Sequence, residues 1–229
     1  MASERRVEPE WLDELPADDP RALRSRRDLK RVNALMANAG IVASELTRAF
    51  RGGVRSIAEV GAGDGAFALR LANALPRPPS SAIFTLLDRQ AIVTHSTRDA
   101  LSTRGWDAQP VEADVFDWLR RESTPGFDAI VANLFLHHFA PGRLGELLAL
   151  AACKTHCFIA CEPHRSQFAL LGSRMLGLVG CNDVTRHDAV VSVRAGFRDR
   201  ELTPLWPAGW ILEEGARGLF SHCFVARRA

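Results

Sequence analysis

Beyond Gly53, short apolar runs alternate with longer stretches whose apolar residues recur every three or four positions. The short runs read as buried strands at 56–60, 83–87, 109–112, 127–132 and 157–161. The longer stretches read as helices at 67–75, about 91–103, 116–122 and 143–152. In the first helix Phe67, Leu71 and Leu75 stand at i, i+4 and i+8 before Pro76 stops it. Alternation at this length implies an α/β fold, a mostly parallel sheet with helices on both faces. Two more runs, 210–214 and 220–226, are joined by a turn containing Gly215 and Gly218 and predict an antiparallel edge.

Ahead of Gly53 the pattern is helical. Asp19 reads as an N-cap and Pro20 as the first position of a helix running to about Met36. One face of that helix carries Leu29, Val32 and Met36; the other carries Arg21, Arg24, Arg26, Arg27, Lys30 and Arg31. A solvated face is the commoner reason for such a basic cluster, and an anionic partner the rarer one. A second helix, about 41–51, ends at Gly52-Gly53. Residues 1–19, with seven acidic side chains against two arginines, read as a mobile or loosely docked lead-in. The expected organisation is an N-terminal helical extension, 1–53, and one compact domain, 54–229.

The chain has 229 residues, 47% of them hydrophobic and 24% charged, with a formal charge of +2. That is enough for a two-faced core and excludes a disordered chain or a strongly cationic tail. No apolar run approaches the ~18 residues of a membrane span. The opening residues lack an apolar signal segment, so a cytoplasmic setting is expected. Five cysteines, an odd number, suit a reducing compartment. Cys157 and Cys161 fall on one face of a strand, where cysteine behaves as a small hydrophobe; with no paired CxxC, no metal site is expected.

The chemistry concentrates in residues 56–67, SIAEVGAGDGAF, a strand running through a glycine turn into a helix. Gly61, Gly63 and Gly65 permit a sharp bend and close approach of a ligand. Taken alone the turn also fits the G-x-G-x-x-G/A pattern of dinucleotide binders, which leaves an NAD(P) oxidoreductase open. Charge separates the two: Glu59 before the turn and Asp64 within it would repel a pyrophosphate but suit an ammonium and a sulfonium. S-adenosylmethionine carries both. Asp88 ends the second strand, where a carboxylate accepts from ribose hydroxyls. Asp114 follows the third strand and suits an adenine amino group, with the Val115 and Phe116 backbone beside the ring nitrogens.

On EVGAGDG (59–65), the terminal Asp88, EAD (112–114) and FDAIVANLFLHHF (127–139), the chain resembles the class I S-adenosylmethionine-dependent methyltransferases. The resemblance spans about Ser56 to Ala226. It implies a Rossmann-like seven-stranded sheet with the last strand antiparallel, methyl transfer as the activity, and Ala62, Arg89, Asn133 and Leu134 as further cofactor-lining positions. The tail, with EPHRS (162–166), VTRHD (184–188) and SVRAGF (192–197), together with the basic N-terminal helix, is similar to small methyltransferases encoded beside type III polyketide synthases. That implies a phenolic or quinol acceptor of natural-product type.

Methylating a hydroxyl calls for a base, and His137 and His138, after the fourth strand, are the candidates. Capping and packing are their bland alternative. His164 and His187 are weaker candidates, and the apolar stretch within 163–190 reads as a lid over the acceptor or as an ordinary packed helix. Phe116 and Trp118 are candidates to stack on adenine or to fill the core. The expected partner is a small-molecule acceptor, without nucleic acid and without stable membrane insertion. A nucleic-acid methyltransferase using the basic helix, and a silent cofactor-binding protein, are the alternatives. Against the first stands AsnLeuPheLeu at 133–136, where amino-directed base methylation uses Asn-Pro-Pro-aromatic.

Overall fold

The structure is a computed structural model that describes residues 4–16, 18–78 and 82–229. Each apolar run forms a strand and each periodic stretch a helix. In chain order the elements are α1 (Trp11–Glu14), α2 (Pro20–Leu35), α3 (Asn38–Ala49), β1 (Ser56–Val60), α4 (Ala66–Ala74), β2 (Ala82–Asp88), α5 (His95–Thr103) and β3 (Trp106–Glu112). They continue with α6 (Val115–Arg120), β4 (Phe127–Asn133), α7 (Pro141–Lys154), β5 (Thr155–Pro163), α8 (Gln167–Met175), α9 (Asp183–Ala195), β6 (Trp210–Arg217) and β7 (Ser221–Arg228). Single 3-10 turns at Leu136–His138, Leu176–Val179 and Thr203–Leu205 link some of them.

Among the described residues seven strands make one sheet in the order β3-β2-β1-β4-β5-β7-β6. Strands β1 to β5 pair in parallel, and β7 runs opposite to both of its neighbours. This is the Rossmann-like, mostly parallel arrangement expected. Because side chains alternate across a strand, each strand feeds two cores. Ile57, Val131, Ile159 and Val225 meet Val42, Leu46, Phe67 and Leu71 on one face. Ala58, Ile130, Phe158 and Phe224 meet Phe116, Leu147, Leu148 and Trp206 on the other. Cys157, Cys161 and Cys223 lie in the first of these cores, as the small-hydrophobe reading requires. The sheet's edge strand β3 tolerates Pro110, which has no N–H to give a neighbour.

The N-terminal part departs from expectation in two ways. Helix α2 buries Ala22, Ser25 and Asp28, while Leu29, Val32 and Met36 are only half-buried. The reason is a polar interface with α9: Thr185 Oγ1 donates to Ser25 Oγ at 2.9 Å, and Asn182 N donates to Asp28 Oδ2 at 2.9 Å. The lead-in, of which residues 1–3 and 17 lie outside the described residues, is tied down. Arg5 donates from Nε to Ala195 O at 2.8 Å and from Nη2 to His137 O at 3.1 Å and Phe139 O at 2.9 Å. Asp188 accepts from the backbone of Trp11 at 2.8 Å and Leu12 at 3.0 Å, and Trp11 stacks on the His187 ring at 3.8 Å. Residues 4–15 are therefore a strap fixed on α9 and the turn after β4.

Candidate active site

Strand order reverses between β1 and β4, the place where open parallel sheets leave a crevice at their carboxyl ends. The glycine turn fills one side of it. Gly61, Gly63 and Gly65 all have positive φ, +73°, +55° and +76°. A Cβ on Gly61 would stand 2.2 Å from the Phe135 ring, whereas one on Gly63 would meet nothing within 4 Å. The turn is thus closed on the Phe135 side and open over Gly63. Leu134, itself at φ +53°, bends the chain after Asn133 so that Phe135 reaches Gly61.

Four carboxylates flank this turn, and they differ. Glu59 is buried and its Oε2 has no hydrogen-bond partner. Burial, opposed by Arg70 and reinforced by Asp88 and Asp64, holds its carboxyl well above the usual range. Asp64 is half-buried and paired with Lys30 of α2 at 2.6 Å, so it does not stand as free negative charge at the turn. This corrects the expectation that Asp64 is available to a cationic ligand: the basic helix lays Lys30 across it. Asp88 accepts from Gly63 N at 2.8 Å on Oδ2 and from Gln90 N at 2.9 Å on Oδ1, leaving each oxygen a further lone pair to accept with. Asp114 caps α6, accepting on Oδ1 from Phe116 N at 2.9 Å and Asp117 N at 3.3 Å.

Of the remaining expected cofactor positions, Ala62 and Val115 are buried beside these groups and Arg89 is exposed past the end of β2. Asn133 accepts from Asn38 Nδ2 at 2.8 Å, and Asn38 in turn accepts from Ser221 Oγ at 2.5 Å, a buried link between α3, β4 and β7. Phe116 and Trp118 are core side chains against Phe139 and Phe127, so neither is placed to stack on a ligand.

The two histidines follow Phe135 in the 3-10 turn. His137 is buried and its Nδ1 donates to Glu162 Oε2 at 2.7 Å. The same carboxylate, at the end of β5, accepts from the backbone of Phe135, Leu136 and His137 at 3.0, 2.8 and 3.3 Å. Glu10 of the strap faces His137 Nε2 at 3.5 Å and also accepts from Ser192 Oγ. Burial disfavours charge on His137, but Glu10 and Glu162 outweigh it and the imidazole is pushed up to about 9. His138, its ring centroid 4.2 Å from that of His137, is pushed down, by burial first and then by its charged neighbour. Asp13 Oδ2 lies 3.8 Å from His138 Nδ1. His164 and His187 stand apart from this cluster, the first near His222 and the second under Trp11.

Glu162, Glu10 and Asp13 are the site residues that sequence reasoning did not single out. Glu162 was visible only as part of a tail motif. The two strap acids carry no local signal at all.

Residues 57–154 match the family described as a methyltransferase domain. No curated protein matches the chain in sequence. Among solved structures the chain is similar to the plantazolicin methyltransferase BpumL in complex with SAH (TM-score 0.67, 12% identity, 93% of this chain and 92% of that one). It is also similar to an O-methyltransferase family protein from Burkholderia thailandensis (TM-score 0.59, 18% identity, 93% and 61%). The pyocyanin biosynthetic protein PhzM is a third (TM-score 0.57, 22% identity, 96% and 62%). Residues 57–154, a little under half of the chain, therefore carry a methyltransferase domain, which supports an enzyme that uses S-adenosylmethionine. Its own residues fit that cofactor: Glu59 has an orphaned buried oxygen, Gly63 an open cradle, and Asp88 free lone pairs.

Proposed function

We propose that this enzyme methylates a hydroxyl of a small phenolic, quinol or polyketide-type acceptor. The observation that carries the reading is the pair His137–His138, one buried and charged, the other half-exposed and held neutral, just past the glycine crevice. Neighbours in the structural comparison include a methyltransferase of a natural product and an O-methyltransferase family protein, which supports an acceptor of that class.

Bound S-adenosylmethionine supplies an electrophilic methyl on a positive sulfur. In this reading Glu59, Gly61, Ala62, Gly63 and Gly65 hold its amino-acid end, Asp88 and Arg89 the ribose, and Asp114 with Val115 the adenine; Asn133 and Leu134 shape the wall opposite. His138 accepts the hydroxyl proton, since a neutral imidazole is a competent base and the phenolate is the better nucleophile. His137 stays protonated between Glu162 and Glu10 and fixes the turn that presents His138. The strap adds Glu10 and Asp13 to the histidine pair on the acceptor side, α2 lays Lys30 over the glycine turn, and 54–229 carries the remaining residues of both sides. Alignment of the two reactants supplies a large share of the rate, up to ~7–11 kcal/mol in favourable systems.

The test is mass-spectrometric detection of methyl transfer to a panel of phenols and hydroquinones. Activity should fall at least a hundredfold in His138→Ala, while S-adenosylhomocysteine binding by calorimetry stays within a factor of two. Asp88→Ala should instead weaken that binding by about 1–3 kcal/mol. Full activity in His138→Ala would dismiss the assigned base, and transfer to carbon or nitrogen alone would dismiss the acceptor class.

A further inference from the structure

We propose that α8 and the turn that follows it form a docking surface for an anionic phospholipid bilayer. Helix α8 buries Ala169 and Ser173 and turns the opposite stripe outward. Phe168, Leu171 and Met175 lie on that stripe at i, i+3 and i+7, with exposures of 54%, 56% and 49%. Leu178 and Val179 in the next turn are 80% and 67% exposed, and Leu219 between β6 and β7 is 61% exposed. Large apolar side chains exposed singly need no explanation, but a contiguous set does.

Gly172 joins the two elements into one patch. It sits in the middle of the outward stripe, and the Phe220 ring rests on it: a Cβ there would stand 3.0 Å from Phe220 Cε1. Phe220 also meets the Phe168 ring at 5.7 Å. The glycine thus seats a ring from the β6–β7 turn among the side chains of α8. This turn is at the carboxyl end of the sheet, since His164 N donates to Phe220 O at 2.8 Å directly after β5. The patch therefore shares a side of the molecule with Glu162 and the histidine turn.

Charge around the patch selects the occupant. Residues 163–182 contain no acidic side chain. Exposed arginines border the apolar crest: Arg174 in the last turn of α8, Arg217 two residues before Leu219, and Arg186, whose guanidinium lies over Gly177. Arg24 reaches across from α2 to donate to Gly180 O at 3.2 Å. Asp183 is exposed at the start of α9 with Arg21 in its field, and Asp199 is an exposed acid that acts on His164. Apolar side chains at a crest with arginines around them match a bilayer interface with anionic headgroups, where the side chains enter the acyl boundary and the guanidinium groups remain among phosphates. The apolar crest alone would also suit a second copy of the chain, but two copies meeting face to face would bring these arginines together.

The surface does not depend on the methyl-transfer reading, and its test uses neither cofactor nor acceptor. The full-length protein is floated with vesicles of 30% phosphatidylglycerol in phosphatidylcholine and, separately, with pure phosphatidylcholine vesicles. Binding is expected to the anionic vesicles, at least fivefold above the neutral ones, and to weaken in 0.5 M salt. Phe168→Ser/Leu178→Ser should reduce it at least tenfold, and so should Arg174→Glu/Arg186→Glu, which leaves the apolar crest intact. Far-ultraviolet circular dichroism and thermal melting check that both variants remain folded. Absence of vesicle binding overturns the proposal. So does a dimer, seen by light scattering, that the serine variant dissolves and vesicles do not compete with.

Discussion

His137 and Glu162 share a 2.7 Å hydrogen bond in which neither side chain reaches solvent. A buried imidazolium is stable only with such partners, and Glu10 supplies the second. Because the folded imidazole is pushed up to about 9 from an ordinary 6.5, the folded state binds the proton more tightly than the unfolded one. The stabilisation is fully present below about 6.5 and is lost as pH rises through about 9. At 1.36 kcal/mol per pKa unit it amounts to about 3 kcal/mol. Urea unfolding at pH 6 and pH 10 should show this loss, and His137→Gln should remove most of the difference between the two. An unchanged difference in the variant would assign the titration elsewhere.

Gly61 and Gly63 predict different costs for the same substitution. Both need a left-handed backbone, which strains any other residue by about 1–3 kcal/mol. Only Gly61 also has the Phe135 ring in the way, 2.2 Å from a new Cβ. Gly61→Ala should therefore lose a further ~1–3 kcal/mol from overpacking. Adding Phe135→Ala to Gly61→Ala should recover that second part and leave the strain. Denaturation midpoints of the four proteins measure it, and equal losses at the two glycines would refute the geometry.

Glu59 trades stability against binding. Its carboxyl is held above the ordinary 4.5 by burial first, so the protonated form is the one the fold favours. Stability from this group is present below about 4.5 and declines as pH rises through the folded value. Glu59→Gln imitates the protonated form and should raise the melting temperature of the ligand-free protein at neutral pH, by roughly 2–4 °C for each 1 kcal/mol recovered. The same change should weaken S-adenosylmethionine at least tenfold, because its ammonium loses a counter-charge. Scanning calorimetry without ligand, followed by titration, separates the two effects. A variant that both melts lower and binds normally would contradict this role for Glu59.

The sheet was largely legible because strands buried on both faces are short continuous apolar runs: β1 falls at its predicted bounds, and β2 and β4 extend theirs by no more than one residue at either end. Strand β3 begins at Trp106, earlier than expected, because an edge strand alternates and the exposed Asp107 masks its start. Helix α3 starts at Asn38 behind Ala37 at φ +55°, with no side-chain cap to announce it. The face of α2 was misjudged for a different reason. Hydrophobic periodicity finds apolar stripes, and Ser25 and Asp28 are buried by hydrogen bonds to α9 instead. The glycine turn and Asp88 were readable because their chemistry is local. Asp64 was not, since its meaning depends on Lys30 arriving from another helix. The strap acids were least legible of all, because their partners are brought near only by the completed fold.

Glu10 provides the sharpest test of that strap. It faces His137 at 3.5 Å, accepts from Ser192 Oγ on α9, and its carboxyl is held below the usual range: burial opposes this, but His137 and His138 with Ser192 outweigh it. Removing its charge leaves His137 with Glu162 alone, so the His137 titration should move down from about 9. Glu10 also holds His138 up while His137, still paired with Glu162, keeps depressing it, so the acidic limb of the rate–pH profile should shift downward in Glu10→Gln. The new amide oxygen can still accept from Ser192, but the strap loses its charge on the histidine pair, which should raise KM for the acceptor several-fold. Cofactor affinity should stay within a factor of two, since Glu59, Gly63 and Asp88 are untouched. Steady-state kinetics from pH 5 to 10 with imidazole NMR on the same variant reads all three quantities. An unmoved His137 resonance, or a loss confined to S-adenosylhomocysteine binding, would remove Glu10 from the acceptor side of the site.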